Sequence, residues 1–156
     1  CCVVPDDFHS RFDCVGKEYV YKIWNSECKN PFIKDTVLQY PYKLDEVFLN
    51  KQASYFVGTH DFSAFCSSGT DVENKVRTVY RCNVIRDGDL VTVVVSGDGF
   101  LYNMVRIIAG TLVYVGNGKL TKENVKEYLE KKDRRLMGIT APPQGLMLVE
   151  VTYGKD

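Results

Sequence analysis

The chain has no net charge to offer, with twenty Lys and Arg against twenty Asp and Glu in 156 residues, so composition alone does not announce a nucleic-acid binder. It is poor in histidine, with His9 and His60 its two representatives, and it contains no CxxC pair, which argues against zinc-type ligation. Cys1, Cys2, Cys14, Cys28, Cys66 and Cys82 lack the regular spacing of a small secreted disulfide framework. Reduced thiols in a cytosolic protein are the expectation. No charged stretch leads into an apolar one at the start, hence no visible secretory signal. Internal repeats and low-complexity segments are absent as well. The first residue is not Met, and Cys1-Cys2-Val3-Val4 reads as a strand already under way, so the chain is expected to be part of something longer.

What is present fits a single domain over residues 1–156. At 45% hydrophobic residues a chain of this length buries about 68–70% of its unfolded surface around one core. Its organising stretch is Gly97 to Leu120. Between Asp98 and Lys119 lie twenty residues with a single formal charge, Arg106, and with Phe100, Met104, Ile107, Ile108, Leu112 and Val115 at helical spacing. The pattern predicts a helix from about Phe100 to Val115, stopped at Gly116-Asn117-Gly118. A membrane span is disfavoured: an Arg at its centre costs ~2.5–3.5 kcal/mol, and Asn103, Gly110 and Thr111 add to that. A guanidinium out of water instead requires a partner, either a carboxylate or a phosphate held bidentately. An ion pair inside this chain is the bland alternative.

Elsewhere the periodicities are plain. Cys14 to Asn25 alternates as a long strand in which Tyr19 and Tyr21 read first as packing residues, and Asp45-Glu46 opens a helix that Gly58 ends. Asp61 is placed to cap a short turn burying Phe62 and Phe65. His60, Asp61 and Cys66 do not make a cysteine hydrolase, because adjacent His and Asp cannot easily form the nucleophile, base and orienter chain. Ser67 to Asn74 is a polar loop. A strand around Lys75 to Ile85 turns at Asp87-Gly88 into Leu90 to Val95, apolar on both faces and so central. Thr121 caps a helix ending in Lys131, Lys132, Arg134 and Arg135, four cations that are a solvated face or phosphate contacts. Met147 to Tyr153 is a last strand. The order β-β-α-β-β-α-α-β is α+β, a mainly antiparallel sheet with helices packed on one side.

Five blocks resemble one family in the right order: VPDDFHSRF at Val4 to Phe12, KEYVYKI at Lys17 to Ile23, GTHDFSAF at Gly58 to Phe65, GFLYNMVRIIAGTLVYVG at Gly99 to Gly116, and APPQGLMLVEVTY at Ala141 to Tyr153. They resemble the tRNA pseudouridine synthase A family. The resemblance implies a pseudouridine synthase-like fold and an enzyme that isomerises uridine to pseudouridine in the anticodon arm of tRNA, without metal or cofactor, as a cytoplasmic homodimer. It implies that Tyr19 contacts the target base, that Arg106 pairs with the family's catalytic aspartate, and that Leu146 lines the pocket. One departure matters: the family's aspartate sits in a Gly-Arg-Thr-Asp motif ahead of the VPDDF block, and that motif does not occur in these 156 residues. The alternative is an RNA-binding or assembly module without catalysis.

Overall fold

A computed structural model of the chain describes residues 3–69, 72–120 and 125–154. Its strands are β1 (Cys14–Trp24), β2 (Leu38–Gln39), β3 (Gly58–Asp61), β4 (Val76–Asp87), β5 (Leu90–Gly97) and β6 (Leu146–Tyr153). The helices are α1 (Glu46–Ala53), α2 (Met104–Gly116) and α3 (Val125–Lys131). The strands form one sheet in the order β2-β1-β5-β4-β3, with β6 also on β1, and every pairing is antiparallel except the short β1–β2 contact. The free edge of β1 is therefore divided: its first part carries β6 and its end, at Ile23 and Trp24, carries β2. β5 is central, as its two apolar faces require, and Gly88 at φ 55° makes the tight turn from β4.

The helices cover one face. Tyr21, Ile23, Val79, Cys82, Val84, Val91, Val93 and Val95 point into a core shared with Leu49, Phe56, Ile107, Ile108, Leu112 and Leu129. Burial there pushes the Cys82 thiol up to about 12, which leaves it an apolar packing group at neutral pH. No helix among the described residues covers the other face, where Glu18 and Arg81 pair at 2.5 Å. Asp45 caps α1, its Oδ1 accepting from Phe48 N at 3.0 Å. α2 spans 13 residues, about 20 Å at the helical rise, against roughly 30 Å of bilayer hydrocarbon. Among the described residues no helix is long and apolar enough to cross a membrane.

Several sequence expectations change here. Val3 and Val4 belong to no strand and are exposed, since no neighbouring edge pairs with them, while Cys1 and Cys2 lie outside the described residues. Gly58–Asp61 is a strand beside β4 before the chain enters the expected turn around Phe62 and Phe65. α2 begins at Met104 instead of Phe100, because Asn103 is left-handed at φ 61°. The expected cap Thr121 lies outside the described residues. The cationic run is not the end of one helix: α3 stops at Lys131, Lys132 is left-handed at φ 51°, and Arg134–Leu136 forms a separate turn.

Lys132 closes that region against β3, its Nζ 2.8 Å from Asp61 Oδ2, while Asp61 Oδ1 accepts from the Ser63 amide at 2.9 Å and from the Ser63 hydroxyl. Lys132 first, then Ser63, holds the Asp61 carboxyl at about 2, below its ordinary 3.8. A depressed carboxyl stabilises the fold above its unfolded value and loses that contribution as pH falls through its folded one. Asp61→Asn is therefore expected to unfold at lower urea at neutral pH. The gap between the two proteins should shrink as pH falls from 3.8 toward about 2. A gap independent of pH would assign the loss to packing.

Candidate active site

The site is built where α2 meets the segment entering β6. Gly110 and Gly138 let two backbones touch: a Cβ on Gly110 would lie 2.0 Å from Ile139 O, and one on Gly138 would lie 2.4 Å from Gly110 O. Thr111, fully buried, fastens the crossing by donating to Ile107 O at 2.7 Å and accepting from Gly138 N at 3.1 Å. One turn along, Ala141 N donates to Arg106 O at 3.1 Å and Arg106 Nε donates to Ala141 O at 2.7 Å. Tyr21 reaches the same segment from β1, its hydroxyl donating to Pro142 O at 2.7 Å. Burial raises the Tyr21 hydroxyl above its ordinary value, an effect that the charge of Arg106 opposes.

Arg106 is half-buried and held, among the described residues, by two neutral acceptors, Ala141 O and Asn103 Oδ1, the latter 2.8 Å from Nη1. Among the described residues no carboxylate pairs with it and no acceptor meets its Nη2. The ion pair within the chain, the bland alternative for this arginine, is therefore not formed by the described residues.

A cleft of about 280 Å³ opens over this guanidinium and brings together Tyr19, Arg106 and Leu146. β1 supplies Tyr19, whose ring meets Phe100 edge-on at 5.3 Å and 88°. Leu146 is the first residue of β6, opposite Tyr21. Among the described residues the lining also contains Tyr102, Arg11 and Arg77, and no acidic one. Three arginines, with no carboxylate of the described residues beside them, make a positive hollow within a chain of zero net charge. Such a hollow suits an anionic ligand, and aromatic rings at its wall suit a planar one.

Other charged clusters are internally satisfied. Around a larger hollow of about 520 Å³, Arg86 donates to Glu46, Asn25, Leu44 O and Gly88 O. Arg134 turns inward to Gly138 O and Thr140 Oγ1, and Arg135 grips Asp133. His60, Asp61 and Cys66 address Val57 O, Lys132 and Ser67 O respectively, so no nucleophile and base chain connects them. Among the described residues no group of three or more His, Cys, Asp or Glu is placed to hold a metal ion.

Sequence reasoning missed Asn103, Phe100, Arg11 and Arg77 as cleft residues. Asn103 was open to discovery, because a side chain three residues before Arg106 lies on the same helical face. Arg11 and Arg77 come from distant segments, and no local pattern marks them.

Residues 52–154 match the family model described as tRNA pseudouridine synthase, and the chain belongs to that family. Among curated relatives it is similar to tRNA pseudouridine synthase A of Anoxybacillus flavithermus, 45% identical over 150 residues that cover 96% of this chain and 61% of that protein. It is also similar to tRNA pseudouridine synthase A of a bovine Staphylococcus aureus strain, at 43% over 148 residues, 95% of this chain and 55% of the relative. For tRNA pseudouridine synthase A 2 of Clostridium tetani the identity is 45% over 150 residues, 96% of this chain and 60% of the relative. The chain thus spans between 55% and 61% of the length of these relatives. Arg106 and Leu146 fall within the family match, whereas Tyr19 precedes it.

Proposed function

We propose that this chain is the base-holding part of a tRNA pseudouridine synthase that isomerises uridine in the anticodon arm, and that the catalytic carboxylate comes from a segment beyond these residues. The observation that carries the reading is the guanidinium of Arg106, aimed into the cleft by two neutral acceptors with no carboxylate of the described residues against it. The length of the relatives leaves room for the segment that would bring one. Arg106 then keeps the carboxylate ionised and oriented beside the ribose, lowering its pKa as an opposite charge does.

In the reaction the bond from the uracil N1 to the ribose C1′ breaks and one from C5 to C1′ forms. The C5 proton leaves and N1 gains one, so neither an oxidant nor a water molecule is consumed, and the resemblance to a family needing no metal or cofactor is chemically coherent. The carboxylate opens the glycosidic bond by covalent or elimination chemistry. Meanwhile the uracil must stay in a closed space and turn. Tyr19 offers the face on which the flipped base stacks, Leu146 walls the pocket, and the positive lining receives the flanking phosphates. The whole protein works on tRNA as a homodimer in the cytoplasm. Holding RNA without converting it is the second reading, favoured by the same lack of a carboxylate among the described residues of the cleft.

Tyr19 provides the test. Tyr19→Phe keeps the ring and loses the hydroxyl; Tyr19→Leu loses the ring. Stacking is typically about 1–3 kcal/mol per base, so in the full-length protein Leu should weaken engagement of the target uridine by roughly fivefold to over a hundredfold. Phe should bind nearly as wild type, and a loss of turnover in Phe alone would assign proton transfer or orientation to the hydroxyl. Single-turnover conversion of a tRNA transcript and tRNA affinity decide the matter beside melting temperatures. If Leu melts much lower and its folded fraction is fully active, Tyr19 is a packing residue and this reading of the cleft fails.

A further inference from the structure

We infer that Asn103 is a positioning residue for the reaction, fixing the direction in which Arg106 presents its guanidinium to the cleft; this rests on the function proposed above. Asn103 sits at φ 61° and ψ 9°, a conformation uncommon for residues other than glycine. Its side chain does not cap α2, although it occupies the capping position. It bridges instead: Oδ1 accepts from Arg106 Nη1 at 2.8 Å, and Nδ2 donates to Ser67 Oγ at 3.1 Å. The orientation of the amide follows from chemistry, because a guanidinium only donates and must face the oxygen. Ser67 is in turn tied to the same turn by its amide, which donates to Tyr102 O at 3.1 Å.

The bridge has a clear mechanical consequence. Ala141 O holds Nε and so fixes one point of a planar group, about which the rest can still swing. Asn103 Oδ1 fixes a second point at Nη1, and these two with the covalent attachment at Cδ define the plane. Nη2 is then presented to an incoming group without a search over orientations, the condition under which a bidentate contact with a carboxylate forms at least entropic cost. A helical start at Met104 puts Asn103 three residues before Arg106, on the same face, and the left-handed backbone makes that start. Glycine would satisfy the backbone equally well but has no oxygen to offer. Asparagine tolerates this conformation and still carries an acceptor.

The variant Asn103→Gly separates the two contributions, since it keeps the left-handed turn and removes the clamp. In the full-length protein, kcat for pseudouridine formation should fall about ten- to hundredfold, the range for a hydrogen bond to a charged group, with KM and melting temperature little changed. The loss should vanish in an Arg106→Lys background, because Asn103 acts through the guanidinium. Independently of turnover, the two Nη nitrogens of Arg106 should give separate NMR signals in the chain described here, and these should merge in Asn103→Gly as the group rotates freely. Unchanged kcat in Asn103→Gly, an equal loss in the Arg106→Lys background, or separate Nη signals in both proteins would each overturn the inference. If the full-length protein forms no pseudouridine at all, the proposed function fails, and the NMR comparison still decides whether the clamp exists.

Discussion

Arg106→Lys in the full-length protein is expected to cut turnover by roughly thirty- to hundredfold, a loss of about 2–3 kcal/mol at the transition state, while tRNA affinity changes far less. The charge survives the substitution, so long-range attraction for the RNA survives with it. What disappears is the fork. Arginine donates from Nε to Ala141 O and from Nη1 to Asn103 Oδ1 while a third nitrogen is left for the partner. A lysine ammonium at the same helical position is a single point charge, which cannot satisfy both acceptors and also present a planar edge to a carboxylate. The carboxylate then keeps a counter-charge and loses its aim. A fall in kcat with KM nearly constant identifies an interaction made in the transition state. Turnover equal to wild type would mean that Arg106 only braces α2 against the segment at Ala141.

That bracing is real, and it explains how a charge can sit in so apolar a helix. Ten residues of α2 are buried, yet Arg106 leaves the core at the end of the first turn, where the chain entering β6 offers a backbone carbonyl. The glycine contact between Gly110 and Gly138 brings that carbonyl within reach. A half-buried guanidinium with two good acceptors is tolerable in the free protein, and the remaining donor capacity is available for function.

Much of this could be read from residue pattern. The apolar faces of Leu90 to Val95 required a central strand, Asp87-Gly88 required a hairpin, and Arg106, the single charge in a stretch of twenty residues, required a partner. Local patterns failed where long-range contacts decided the outcome. The apolar start at Val3-Val4 has strand composition but pairs with no strand among the described residues. Gly58–Asp61 has little strand propensity, and becomes a strand because β4 extends far enough to pair with it. Phe100 has the helical spacing of the residues after it, but a left-handed Asn103 keeps it out of α2 and leaves its ring for the cleft wall. Tyr19 illustrates the converse case. Alternation alone made it one packing tyrosine among several, and only family resemblance, followed by its place in the same cleft as Arg106, set it apart.

The most direct test of the account is pseudouridine formation in a tRNA transcript by the full-length protein and by the 156-residue chain, compared under the same conditions. One core closes within these residues, with Tyr21, Phe56, Phe62, Ile107 and Ile108 fully or almost fully buried, so the short chain should fold, with the circular dichroism and cooperative melting of an α+β domain. It holds the arginine, the aromatic wall and the positive lining, but the family's Gly-Arg-Thr-Asp motif is absent from it. On the proposed function no group opens the glycosidic bond without a carboxylate at the ribose, and positioning alone does not break it. The account predicts conversion by the full-length protein and none above the enzyme-free control by the folded 156-residue chain. Conversion by the short chain at a rate near the full-length protein's would contradict it, and would place the catalytic carboxylate within these 156 residues.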